Sequence, residues 1–93
     1  MITHIVFFKF KDAANITITR DKLLALKNKI PQLRHLEVGV DVIRSERSYD
    51  LALVSKFDNL DDLQAYQIHP DHQEVVKFLA DVKESIVAVD YES

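Results

Sequence analysis

The sequence predicts an α+β fold of the ferredoxin-like kind, a four-stranded antiparallel sheet with helices on one face. Three observations carry this. Four runs rich in β-branched or aromatic residues read as strands, at 2–10, 35–43, 50–57 and 85–91. Two regions with helical apolar spacing fall between them, at 19–30 and 58–82. The resulting order, β-α-β-β-α-α-β, is the split βαβ arrangement with its second crossover helix broken in two. Right-handed crossovers place both helical layers on the same face of the sheet.

The first strand, "ITHIVFFKF", alternates His4, Val6, Phe8 and Phe10 against Ile5, Phe7 and Lys9, so both of its faces are largely apolar. "KDAANITI" reads as a loop. The first helix is expected over 19–30, with Thr19 as N-cap, Asp21 in the positive first turn and Leu23, Leu26 and Ile30 as an apolar stripe. Pro31 ends it, because proline disfavours helical geometry in the residue before it. The second strand, 35–43, sets Leu36, Val38, Val40 and Val42 against a wetter face of Glu37, Gly39 and Asp41. After the polar link "RSERSY", the third strand begins at Asp50, and the short connection predicts an antiparallel hairpin.

Asp58 or Asn59 can cap the next helix, whose first turn holds Asp61 and Asp62. His69 precedes a proline and should leave helical geometry. Pro70 then fits the first position of a new helix, with Val75, Val76, Phe78, Leu79 and Val82 as its apolar face. The last strand splits Ile86 and Ala88 from Val87, Val89 and Tyr91.

Ninety-three residues predict one domain, 1–93. Without cysteine there is neither a disulfide framework nor a thiolate zinc site. A net charge of −3 is a poor footprint for nucleic acid. The same element order occurs in RNA-binding modules, but "RSYDLALVSKF" lacks their glycine-aromatic motif. "MITHIVFFKF" has no basic leader and is too short to span a membrane, so the expectation is a soluble cytoplasmic protein with no membrane partner. No cofactor motif is recognisable.

Helices on one face leave the other bare, yet the first, third and last strands are apolar there too. Soluble monomers rarely expose such a patch, so the prediction is a homodimer packed through the sheet face. The alternative is a moderately apolar free surface, which many proteins have.

"AYQIHPDHQEV" gathers Tyr66, His69 and His72 around the helix break. In one reading they form a site: a neutral His72 acts as general base and the Tyr66 hydroxyl donates to a developing oxyanion. In the other they are structural, Tyr66 anchoring its helix and His69 capping the next one. The i, i+3 spacing of His69 and His72 suits a metal, but the intervening proline and the missing third ligand argue against one. His4 gains interest only by converging on Tyr66 and His72.

Together, "HIVFFKFK", "DLALVSKFDNLDDLQAYQIHPDHQEV" and "VDYE" resemble the stress-responsive dimeric α/β-barrel (Dabb) family over His4 to Glu92. The resemblance implies two ferredoxin-like subunits whose sheets close into a barrel. In members of the olivetolic acid cyclase type, the tyrosine and second histidine of Y-x-x-H-P-x-H form an acid/base pair, here Tyr66 and His72, and a strand-one histidine of the pocket matches His4. Those members carry a further pocket histidine where this chain has Leu51.

The expected site is a small apolar cavity between sheet and helices. His4, Val6 and Phe8 line its sheet side, Leu23 and Leu26 stand opposite, and Tyr66 and His72 supply polar groups beside His69. The primary expectation is a binding protein for a small hydrophobic or phenolic ligand. A cofactor-independent, cyclase- or lyase-like enzyme is the alternative. A dimer whose cavity is filled by its own side chains is the third reading.

Overall fold

Because the first strand is apolar on both faces, it has to lie where both faces can be covered. A computed structural model describes all 93 residues and puts β1 (Ile2–Phe10) inside the sheet, between β3 (Leu51–Phe57) and β4 (Lys83–Glu92). β2 (His35–Val40) pairs with the far side of β3, giving the order β2-β3-β1-β4 with every pair antiparallel. This is the ferredoxin-like arrangement predicted above. α1 (Ala14–Leu24), α2 (Leu60–Ile68) and α3 (Pro70–Val82) supply the helical layer. No helix is long and apolar enough to cross a membrane.

Alternation decides the core. Val6, Phe8, Leu53 and Phe57 are buried on the sheet's inner face, against Leu23 of α1, Leu63 of α2 and Val75 and Leu79 of α3. At about 1.5–3 kcal/mol for each large apolar side chain, this burial is the main favourable term for so small a chain.

The first helix departs from the sequence expectation. It begins at Ala14, not Thr19, so only the first three residues of "KDAANITI" are loop, and Thr19 is a fully buried mid-helix residue. The Asp12 carboxylate accepts a hydrogen bond from the Ala14 backbone N–H at 2.9 Å and starts the helix early. The β-branched run Ile16–Thr19 lowers local helix propensity. Burial of Ile16, Thr19 and Leu23 on one face overrides it. The helix also ends sooner, at Leu24. Leu26, Lys27 and Lys29 then donate to carbonyls three residues back, at 3.0, 3.2 and 3.1 Å, in a tightened 3₁₀-like run up to Pro31.

The second strand stops at Val40, three residues before the expected end. The Asp41 carboxylate accepts from the Arg44 backbone N–H at 2.7 Å, and Arg44 takes a positive φ of 59°. The chain therefore turns, leaving Val42 and Ile43 in solvent. Asp50 anchors this loop. It is buried, its Oδ2 accepts from the Phe10 N–H at 2.9 Å, and its Oδ1 accepts from the Arg44 guanidinium at 2.8 Å.

Asn59 caps α2 by accepting from the Asp62 N–H at 2.8 Å. His69 is extended (φ −61°, ψ 136°), and Pro70 opens α3 as expected.

The outer sheet face carries no helix. Phe7, Val87, Val89 and Tyr91 are exposed there beside half-buried Ile5, Ala52 and Val54.

Replacing Asp50 by Ala removes both acceptors and leaves the buried Phe10 N–H without a partner. The expected loss is about 2–3 kcal/mol, read from urea denaturation at fixed protein concentration. Asp50→Asn, which keeps an acceptor for Phe10, should lose less.

Candidate functional site

β1 brings His4, Val6 and Phe8 to the inner face, and α1 and α3 roof over them. Between these elements lies a cavity of about 350 Å³. Ten of its thirteen lining residues are apolar, among them Leu23, Leu53, Leu79, Ile86 and Ala88. The remaining three are His4, His72 and Lys83. The volume lies at the lower end of the range typical of small-ligand sites, roughly 300–1,000 Å³.

His4 is held from the neighbouring strand. Its Nδ1 donates to the carboxylate of Asp90, its cross-strand partner on β4. The ring is buried while Asp90 stays partly exposed. The carboxylate on Nδ1 orients the ring and leaves Nε2 without a protein partner.

His72 is fixed by the helix break. Its Nδ1 donates to the Gln67 carbonyl at 3.0 Å, a group of the last turn of α2 that has lost its helical partner. Gln73 donates to the same oxygen at 2.6 Å. Burial lowers the His72 pKa. The Gln67 carbonyl opposes that shift, and His4 and His69 add to it. At neutral pH the ring is therefore neutral, again with Nε2 free.

Tyr66 is wholly buried, its ring 5.0 Å from that of Phe57 and 4.4 Å from that of His72, centroid to centroid. The hydroxyl has no hydrogen-bond partner in the protein. Burial pushes its pKa well above the ordinary phenol value, so the group stays a neutral donor. Tyr66 does not line the cavity and reaches it only through contact with His72.

Two other expected residues are elsewhere. His69 caps α3, its Nδ1 accepting from the Asp71 N–H at 3.1 Å. Leu26 is buried toward a charged groove between α1 and α3 and does not line the cavity. The structure thus brings together His4, Val6, Phe8, Leu23 and His72, with Tyr66 behind the last. No three histidine or acidic side chains gather as a metal site would require.

Sequence reasoning missed Asp90 and Lys83. The signal for Asp90 was available, since the alternation that places Ile86 and Ala88 on the inner face continues to residue 90. Lys83 was hidden by a β-strand that begins two residues earlier than its apolar pattern.

The chain is similar to several known proteins. It is 32% identical, over 98% of its length, to a stress-response A/B barrel domain-containing protein of Arabidopsis thaliana, and spans 36% of that protein. A dimeric protein of unknown function and ferredoxin-like fold from Bacteroides fragilis superposes with a TM-score of 0.89 at 38% identity, covering 99% of this chain and 95% of that one. A hydroxynitrile lyase from Passiflora edulis superposes with a TM-score of 0.83 at 23% identity, covering 97% of this chain and 90% of that one, which shows the shared fold alone. Residues 2–93 match the stress responsive A/B barrel domain, and the chain belongs to that family.

Proposed function

We propose that this protein is a homodimer in which each subunit binds a small hydrophobic, phenolic or carbonyl ligand in the cavity between sheet and helices. The observation that carries the reading is the cavity itself, an apolar space onto which two positioned imidazoles open. Apolar walls with a few fixed polar groups are what a small-ligand site requires. The dimer rests on the bare outer face, where Ile5, Phe7, Val87, Val89 and Tyr91 would be covered by a second copy, and on the dimeric relative from Bacteroides fragilis.

A second reading is cofactor-independent proton transfer, and the free Nε2 of a neutral His72 favours it. A C–H bond beside a ligand carbonyl breaks, the proton passes to Nε2, and the electron pair moves onto the carbonyl oxygen as an enolate. In this reading the buried Tyr66 hydroxyl, which has no protein partner, donates to that oxygen once the His72 ring packed in front of it shifts.

Thermal unfolding with a panel of phenols and ketones tests the binding reading. A ligand at a hundred times its Kd should stabilise the native state by about 2.7 kcal/mol. The response should disappear in Ala88→Trp, which fills the space. If no compound raises Tm, the cavity is not a ligand site. For the second reading, deuterium exchange at the α-carbon of a bound ketone should fall at least about a hundredfold in His72→Ala. Full exchange in both His72→Ala and Tyr66→Phe would remove it.

Val89→Lys should turn the dimer into monomers. Each two-fold interface loses the residue twice, about 3 kcal/mol in all, so the dimer Kd should rise more than a hundredfold by light scattering or sedimentation.

The pKa of His72 is lower in the folded than in the unfolded protein, so the unfolded state binds more protons. The resulting stability is present above the ordinary histidine pKa and is lost as pH falls below it. Denaturation between pH 7 and 5 should show a decline that His72→Gln makes shallower.

A further inference from the structure

Lys83 has no role in either reading above. It is the C-cap of α3 and the first residue of β4, and its exposed side chain stands at the solvent edge of the cavity lining. No carboxylate is among the lining residues, and Lys83 forms no ion pair. The acids nearest to it in sequence are placed elsewhere. Glu84 lies 3.9 Å from Lys9, and Asp81 lines the groove between α1 and α3.

The pairing of β1 with β4 orders the cavity wall from end to end. His4 is opposite Asp90, Val6 opposite Ala88, Phe8 opposite Ile86, and Phe10 opposite Lys83. Hydrogen-bonding imidazoles thus occupy one end, apolar side chains the middle, and an unpaired ammonium the other end. The six-residue step from His4 to Phe10 spans roughly 20 Å of strand. His72 joins the His4 end, since these two histidines are close enough for one charge to affect the other.

We propose that the cavity takes an elongated amphipathic anion, with a carboxylate or similar head on Lys83, an apolar body across Val6, Phe8, Ile86 and Ala88, and any carbonyl or hydroxyl at the His4–His72 end. A polar group at each end and apolar walls between them match a ligand of that polarity. A neutral hydrocarbon would leave the Lys83 end unused, and an amine would be repelled by it. This inference rests on the binding reading and narrows it to a ligand class.

Isothermal titration calorimetry with octanoate, 1-octanol and octylamine separates head from body. Octanoate should bind most tightly and octylamine least. Lys83→Met should weaken octanoate about three- to fivefold, the size expected of a partly exposed ion pair, and leave 1-octanol unchanged. Lys83→Arg should restore octanoate binding, and raised salt should weaken octanoate but not 1-octanol. If octanoate and 1-octanol both bind, both are lost in Ala88→Trp, and Lys83→Met affects neither, the cavity binds ligands but Lys83 does not select an anion, and this inference is overturned alone. If none of the three binds the wild-type protein, the binding reading fails and takes this inference with it.

Discussion

β1 is apolar on both faces, and the rest of the molecule is arranged to satisfy that constraint. A strand of this kind cannot sit at a half-solvated edge without exposing a continuous apolar stripe. Placed between β3 and β4, it has every backbone group within reach of a partner and its inner face under the helices. Its outer face, with Ile5 and Phe7, carries no helix, and it is this face that the proposed dimer would cover. The same alternation divides its side chains between the core and the outer face. It also carries His4 to the inner face, two residues before Val6, so the polar group of the cavity and the core share one strand.

The break between α2 and α3 is the second organising feature. Ending one helix and starting another within two residues leaves unpaired carbonyls on one side and unpaired amides on the other. The two histidines answer both needs. His69 accepts from an amide of α3, and His72 donates to a carbonyl of α2. Sequence reasoning set the structural and the site readings of these rings against each other, but for His72 they coincide. The hydrogen bond that closes the end of α2 also fixes which ring nitrogen is free.

Local chemistry and face alternation were legible in the sequence, and long-range compensation was not. β1 was read to the residue, and the Pro70 break follows from the geometry that proline imposes. The start of α1 was misplaced because Ile16 to Thr19 looks unhelical until Ile16 and Thr19 are seen to be buried against the sheet. The end of β2 was misplaced because Val42 continues the alternation, while the turn depends on Asp41 bonding the Arg44 amide. Leu26 was expected in the cavity from a regular helical stripe, but the helix tightens after Leu24 and aims it into another groove. Asp90 shares the inner-face alternation of Ile86 and Ala88, but its pairing with His4 needed the register of β1 with β4, which alternation alone does not set.

On the binding reading proposed above, the cavity is a maintained feature rather than loose packing. Two of its walls are built with small side chains, Ala88 on β4 and Ala80 on α3, at positions where larger apolar residues would fill it. In so small a chain, unfilled apolar space works against a net stability of only about 5–15 kcal/mol. The fully buried hydroxyls of Tyr66 and Thr19 lack partners and add to that burden, each at a cost of about 1–3 kcal/mol. Packing alone would favour leucine at the alanines and phenylalanine at Tyr66. The same positions serve a binding site well, because they keep room for an apolar ligand, hold a donor in a dry environment and leave two imidazoles with their Nε2 atoms free. Of these departures, the Tyr66 hydroxyl belongs to the ring packed against His72, and a ligand bound in the cavity would offset part of their cost.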